Sequence, residues 1–222
     1  MRDEVFRDRG EAGQALAAEL GRRLGDRDDL IVLALPRGGV PIGYEIASAL
    51  GAPLDVLIVR KLGLPGQEEL AMGAIASGGA RVLNDEVVGS LRVPDEWIER
   101  VARRELHELE RRELLYRGDL PQLDVRGKTV VVVDDGLATG STMRVAVQAL
   151  RKMGPRRIVV AVPVAAASTC RSIGREADEI VCLRTPEPFE AVGLWYEDFS
   201  QTTDREVHEL LARARDERRD DC

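Results

Sequence analysis

An α/β fold, an open and mostly parallel sheet with helices on both faces, is what this sequence predicts. Three observations carry that reading. The runs Leu30-Ile31-Val32-Leu33-Ala34-Leu35 and Thr129-Val130-Val131-Val132-Val133 are almost wholly apolar, as strands buried on both faces must be. Helical periodicity fills the stretches between strands, and that alternation implies parallel pairing with crossover helices. With 222 residues, 44% of them apolar, the chain has enough for one domain with its own core. We expect a single domain over residues 1–222 with a small irregular segment at about 184–200.

Taken in order, Asp8 with Glu11 is a capping-box pattern ahead of a helix bearing Leu16, Leu20 and Leu24 on one side. The Leu30–Leu35 strand follows. Pro41 to Leu50 reads as a helix stopped by Gly51, and Leu54 to Val59 as a second strand that ends at Arg60-Lys61. Residues Gly63 to Gly79 are Gly-rich and match no helix or strand pattern, and a short strand follows at Arg81-Val82-Leu83. Asp95 caps a long helix to about Arg117. Ile98, Ala102, Leu106 and Leu109 form its apolar stripe, and pairs such as Glu108–Arg112 form its solvated face. After Thr129–Val133 a helix runs from about Arg144 to Met153, closed by Gly154-Pro155. Strands at Ile158–Val162 and Glu179–Leu183 precede an irregular stretch from Thr185 to Ser200. Thr203 with Glu206 then opens a terminal helix.

The most informative stretch is Thr129 to Thr142. A buried strand stops at Asp134-Asp135, and open α/β sheets bind ligands at such carboxyl ends. Gly136-Leu137-Ala138-Thr139-Gly140-Ser141-Thr142 then supplies backbone amides and hydroxyls at a helix N-terminus, which suits a phosphate. Carboxylate acceptors for sugar hydroxyls beside donors for a phosphate describe a sugar-phosphate site. A Walker A loop would need a Lys before its Ser/Thr, but Ser141 follows Gly140 directly. Gly38-Gly39-Val40-Pro41-Ile42-Gly43 lacks the spacing of a dinucleotide fingerprint.

The stretch resembles the signature of type I phosphoribosyltransferases, which use 5-phosphoribosyl 1-pyrophosphate (PRPP). The resemblance implies that Asp134 and Asp135 are the catalytic acids that hold the ribose hydroxyls. It makes Ala138, Thr139, Gly140, Ser141 and Thr142 the cradle of the 5′-phosphate. It implies a pyrophosphate loop at Arg37 and Gly38, with Arg60 and Lys61 also reaching pyrophosphate. In the family that loop sometimes carries a non-proline cis peptide. Residues about 62–80 match the position of the family's flexible catalytic loop, a lid that excludes water. Phe189, Trp195 and Tyr196 fall where the family's hood, here about 184–200, binds the base. The 6-oxopurine enzymes carry an Asp in the phosphate loop where this chain has Ala138, so their usual proton donor is absent.

The resemblance implies transfer of a 5-phosphoribosyl group to a nucleobase-like acceptor, with Mg2+ bound through PRPP rather than by a direct protein site. A homodimer is expected. The alternative is a PRPP- or nucleotide-binding regulatory protein without turnover. A net charge of −7 and a pI near 5.1 argue against a nucleic-acid-binding surface. No apolar run is long enough to span a bilayer, and Cys170, Cys182 and Cys222 form no C-x-x-C pair. Reduced thiols in a cytoplasmic protein are the expectation.

Overall fold

The computed structural model describes residues 5–25, 27–118 and 123–220. A five-stranded parallel sheet forms the centre, in the order β2 (Leu54–Val56), β1 (Leu30–Ala34), β6 (Thr129–Val133), β7 (Arg157–Val164) and β8 (Glu179–Arg184). Every residue of β1 and β6 is buried, because both faces of these strands are covered. Strand alternation divides the valines of β6 between two cores. Val131 and Val133 pack with α1 (Arg9–Leu24), α2 (Gly39–Leu50), α4 (Asp95–Arg117) and α7 (Asp204–Asp220). Val130 and Val132 pack with α5 (Ser141–Met153) and α6 (Ala167–Ile173) on the other face.

The expected flexible loop at about 62–80 is instead a second, antiparallel sheet of β3 (Val59–Leu64), β4 (Gln67–Ala76) and β5 (Ala80–Leu83). Its hairpin turns at Pro65-Gly66, where Gly66 has φ +82°, a turn chemistry that pairs Pro with a following Gly. Met72 to Ala76 of β4 are all buried, so the strand carries no apolar–polar alternation for the sequence to show. The α3 helix (Asp85–Ser90) links this sheet to α4.

Four further expectations are corrected. Arg60 and Lys61 do not end the second strand but lie inside β3, after β2 has stopped at Val56. The N-cap of α4 is Pro94, with Asp95 in its first turn, and Leu106 is 40% exposed while Val101 and Glu105 take the buried stripe. The helix after the signature starts at Ser141, not near Arg144, because Gly140 adopts the left-handed N-cap (φ 69°). Cys170 and Cys182 are not free thiols but a disulfide, since α6 folds back on β8 and brings their Cα atoms to 6.9 Å. Cys222 lies outside the described residues. No helix among the described residues is long and apolar enough to cross a membrane.

The expected capping box forms fully at Thr203–Glu206 and by half at Asp8, since Glu11 accepts the Arg7 N–H instead of that of Asp8. Asp8 accepts the Glu11 N–H at 2.8 Å, and Thr203 exchanges hydrogen bonds with Glu206.

Candidate functional site

The carboxyl ends of β1 and β6 lie side by side, joined by the Leu35 N–H donating to Val133 O at 2.8 Å. Their two loops therefore meet. The Pro36–Arg37 peptide bond is cis, as the resemblance allowed. A Cβ built on Gly38 would stand 2.0 Å from Asp135 Oδ2, and one on Gly39 would stand 2.6 Å from Val133 O. Close approach requires glycine here, not unusual dihedrals: Gly38 has φ −60° and ψ −30°.

The two acids are held differently. Asp134 turns its Oδ1 back to accept the Asp135 N–H at 2.9 Å. Burial drives its carboxyl well above the usual carboxylate range, and the neighbouring Asp135 charge pushes the same way. Burial also raises Asp135, but there the Arg9 guanidinium opposes it. Arg9, in the first turn of α1, donates from Nε and Nη2 to Asp135 Oδ2 at 3.0 and 2.8 Å. Sequence reasoning missed this residue. It lies 126 positions from its partner, and a lone Arg after an N-cap carries no local signal.

Beyond the acids the loop opens to solvent. Ala138 and Thr139 are exposed, and Ser141 is half-buried. The first bond of α5 runs from the Arg144 N–H to Gly140 O at 2.9 Å. The amides of Ser141, Thr142 and Met143 thus stand outside the helix's own ladder, at its positive end. Thr169 of α6 donates to Ala138 O at 2.6 Å and steadies the loop from behind.

Adjacent residues on β3 point to opposite faces, so the two predicted cations part company. Lys61 Nζ reaches Ser141 Oγ at 2.8 Å, bringing a positive charge to the phosphate loop. Arg60 turns away to α4, where Nε and Nη2 meet Glu105 Oε2 at 3.0 and 2.6 Å. Arg37 is about one-third exposed and lies 3.8 Å from Asp204. A cleft of about 430 Å³ opens beside Lys61 and Ser141, bounded by β4, β5 and α5, without touching either acid.

The hood closes on the acids from the other side. Tyr196 is buried, and its hydroxyl donates to Asp135 O at 2.7 Å, so it supports the strand end. Phe189 and Trp195 are half-buried against Phe6 and Tyr196, and Trp195 Nε1 is a buried donor with no acceptor among the described residues. Val192 touches Gly136, where a Cβ would stand 2.5 Å from its Cγ1. The apolar groups the hood leaves most open are Leu194 and Phe199.

The profile of the phosphoribosyl transferase domain matches residues 3–193. This chain belongs to the phosphoribosyl transferase family. A Mycobacterium tuberculosis protein, named as a candidate phosphoribosyl transferase, is 46% identical over 95% of this chain and 47% of its own length. The crystal structure of TT1426 from Thermus thermophilus matches with a TM-score of 0.84 at 42% identity, covering 94% of this chain and 98% of that one. The bifunctional protein PyrR of Chloroflexus aurantiacus is 35% identical over 57% of this chain and 65% of its own length. The chain spans about half the length of the mycobacterial relative.

No group of three or more His, Cys, Asp or Glu residues among those described could hold an ion alone. One acid is spoken for by Arg9 and the other by a backbone amide. Mg2+ favours phosphate oxygens and waters over an all-protein cage, so these residues fit an ion held mainly by the ligand.

Proposed function

We propose that this protein transfers the 5-phosphoribosyl group of PRPP to a nitrogenous base and releases pyrophosphate. One observation carries the reading: the Asp134-Asp135 strand end lies between an open helix N-terminus with Lys61 on one side and the Arg37-Gly38 loop on the other. PRPP has the same order of parts, with a phosphate, a pentose diol and a diphosphate.

In this reading the 5′-phosphate takes the amides and hydroxyls from Ala138 to Thr142, with Lys61 adding charge. Asp135 and Asp134 accept from the sugar hydroxyls, and Arg37 with the Gly38 backbone faces the diphosphate. Bound Mg2+ would neutralise the diphosphate and make it a better leaving group. The acceptor nitrogen forms a bond to C1′ while the C1′–oxygen bond breaks, and the electron pair leaves with pyrophosphate. The acceptor's proton goes to solvent. No protein nucleophile is needed, so orientation and fixed charges supply the acceleration. The base would lie against the open edge of the hood, near Leu194, Phe189 and Trp195.

The test is calorimetric titration with PRPP and Mg2+, followed by incubation with a nucleobase panel and assay of released pyrophosphate. Binding plus base-dependent release is expected. Binding without release from any base would leave a PRPP-binding regulator in its place. No PRPP binding at all would refute both. Asp135→Asn is expected to weaken PRPP binding by about 10–100-fold, the scale of a hydrogen bond to a charged acceptor.

A further inference from the structure

Arg9 is bound more completely than an ordinary surface ion pair. Two of its nitrogens, Nε and Nη2, hold one carboxylate oxygen, Asp135 Oδ2. The third, Nη1, donates to Ser200 O at 2.7 Å. The guanidinium lies 4.0 Å from the centroid of the Phe199 ring, and Tyr196 flanks it at 6.0 Å. Only 11% of the Arg9 side chain and 17% of the Asp135 side chain remain exposed. Meanwhile Asp135 Oδ1 accepts no hydrogen bond from another described residue, while the Gly38 backbone closes on Oδ2, the oxygen that Arg9 already holds. A carboxylate this enclosed would be costly without a counter-charge, and a planar fork stacked on a ring fixes its orientation as well.

We propose that Arg9 is a positioning residue for the pentose: it pins one oxygen of Asp135 and leaves the other for a sugar hydroxyl. The inference rests on the PRPP reading and adds to it a residue outside the signature. Arg9 reaches the acid only because the N-terminal segment is tied to the hood. The Phe6 N–H donates to Trp195 O at 2.9 Å, and the Glu197 and Asp198 amides donate to Phe6 O and Arg7 O at 2.8 and 2.9 Å. The pentose seat is thus set by the junction of N-terminal segment and hood, through one guanidinium.

A double-mutant cycle on the full chain tests this, using Arg9→Gln, Arg9→Lys, Asp135→Asn and the pairs, with PRPP and Mg2+ titrated by calorimetry and folding checked by circular dichroism. Arg9→Gln is expected to weaken PRPP at least about tenfold, while Arg9→Lys, which keeps the charge, recovers at least about threefold of that loss. In the Asp135→Asn background, Arg9→Gln should add less than about twofold, since its effect runs through that carboxylate. Inorganic phosphate, which uses the other end of the site, should bind all variants alike. Additive effects, or Arg9→Lys as weak as Arg9→Gln, would overturn the proposal. So would wild-type affinity in Arg9→Gln. If Arg9→Gln does not fold, the Arg9→Lys cycle decides by the same additivity rule. A wild-type protein that ignores PRPP would instead sink the transferase reading, and this inference with it.

Discussion

At the Ser141 end of the candidate site, the groups that would meet a ligand are exposed or half-exposed, and one contiguous strand, loop and helix supplies nearly all of them. At the Asp135 end, the corresponding groups are already bonded to one another. They come from four stretches of chain: Phe6 to Arg9, Pro36 to Gly38, Asp134 to Gly136 and Val192 to Ser200. An open end of local origin can change its affinity without changing the fold. A closed end assembled from distant segments cannot, because each contact that would orient a ligand also holds the protein together.

The most severe test of that difference is Gly38→Ala. Its new methyl would stand 2.0 Å from Asp135 Oδ2, so either the acid or the Pro36–Gly38 loop must move. PRPP affinity should fall at least about 100-fold, or about 2.8 kcal/mol. Overpacking of about 1–3 kcal/mol should appear together with that loss. A variant with normal affinity and normal Tm would show that the closed end is looser than the geometry says.

A smaller effect, but a sharper contrast, lies in two neighbouring cations. Lys61→Ala should weaken PRPP about tenfold and leave Tm within about 1 °C, because an exposed Lys beside a hydroxyl contributes little to folding. Arg60→Ala should do the reverse. Glu105 is only 8% exposed on its side chain and would lose its two-bonded partner, although Arg104 still reaches its other oxygen at 3.0 Å. A loss of about 1–2 kcal/mol, or about 2–8 °C in Tm, is expected with affinity held within about twofold. Thermal melts and PRPP titrations of both variants check this. If both variants lose affinity equally, Arg60 leaves Glu105 for the ligand and the division by strand face is wrong.

The same contrast decides what was legible in the sequence. The phosphate end could be read because strand, acids, glycine and helix start follow one another within Thr129 to Met143. The Asp135 end could not, since nothing near Arg9 names a partner 126 residues away. The antiparallel sheet was hidden for another reason. Ala71, Gly73, Ala74 and Ala76 have weak strand preference, although Leu64-Pro65-Gly66-Gln67 was a readable turn. The fates of Arg60 and Lys61 depended on that unread strand. The pairing of Cys170 with Cys182 likewise depended on α6, a short helix that no periodicity announced.

The smallest expected effect concerns Asp134, and it has the opposite sign. Its carboxyl binds a proton more tightly in the folded protein than in the unfolded chain, because burial and then the Asp135 charge disfavour ionisation. Arg9 favours the charged form of Asp135, so Asp135 ionises first and Asp134 keeps its own proton to higher pH. The stabilisation that goes with protonated Asp134 is fully present below the unfolded pKa of about 4, and it is lost as pH rises through the higher folded value. Above that value the buried charge is a constant penalty. Asn at position 134 still accepts the Asp135 N–H and never ionises. Asp134→Asn should therefore melt higher than wild type at about pH 8, by about 2–4 °C for each kcal/mol of relieved penalty, and match it near pH 4. Melts across that range check the sign. A variant less stable at every pH would mean that the ionised acid has a stabilising partner, and a gap that ignores pH would mean that charge is not its cause.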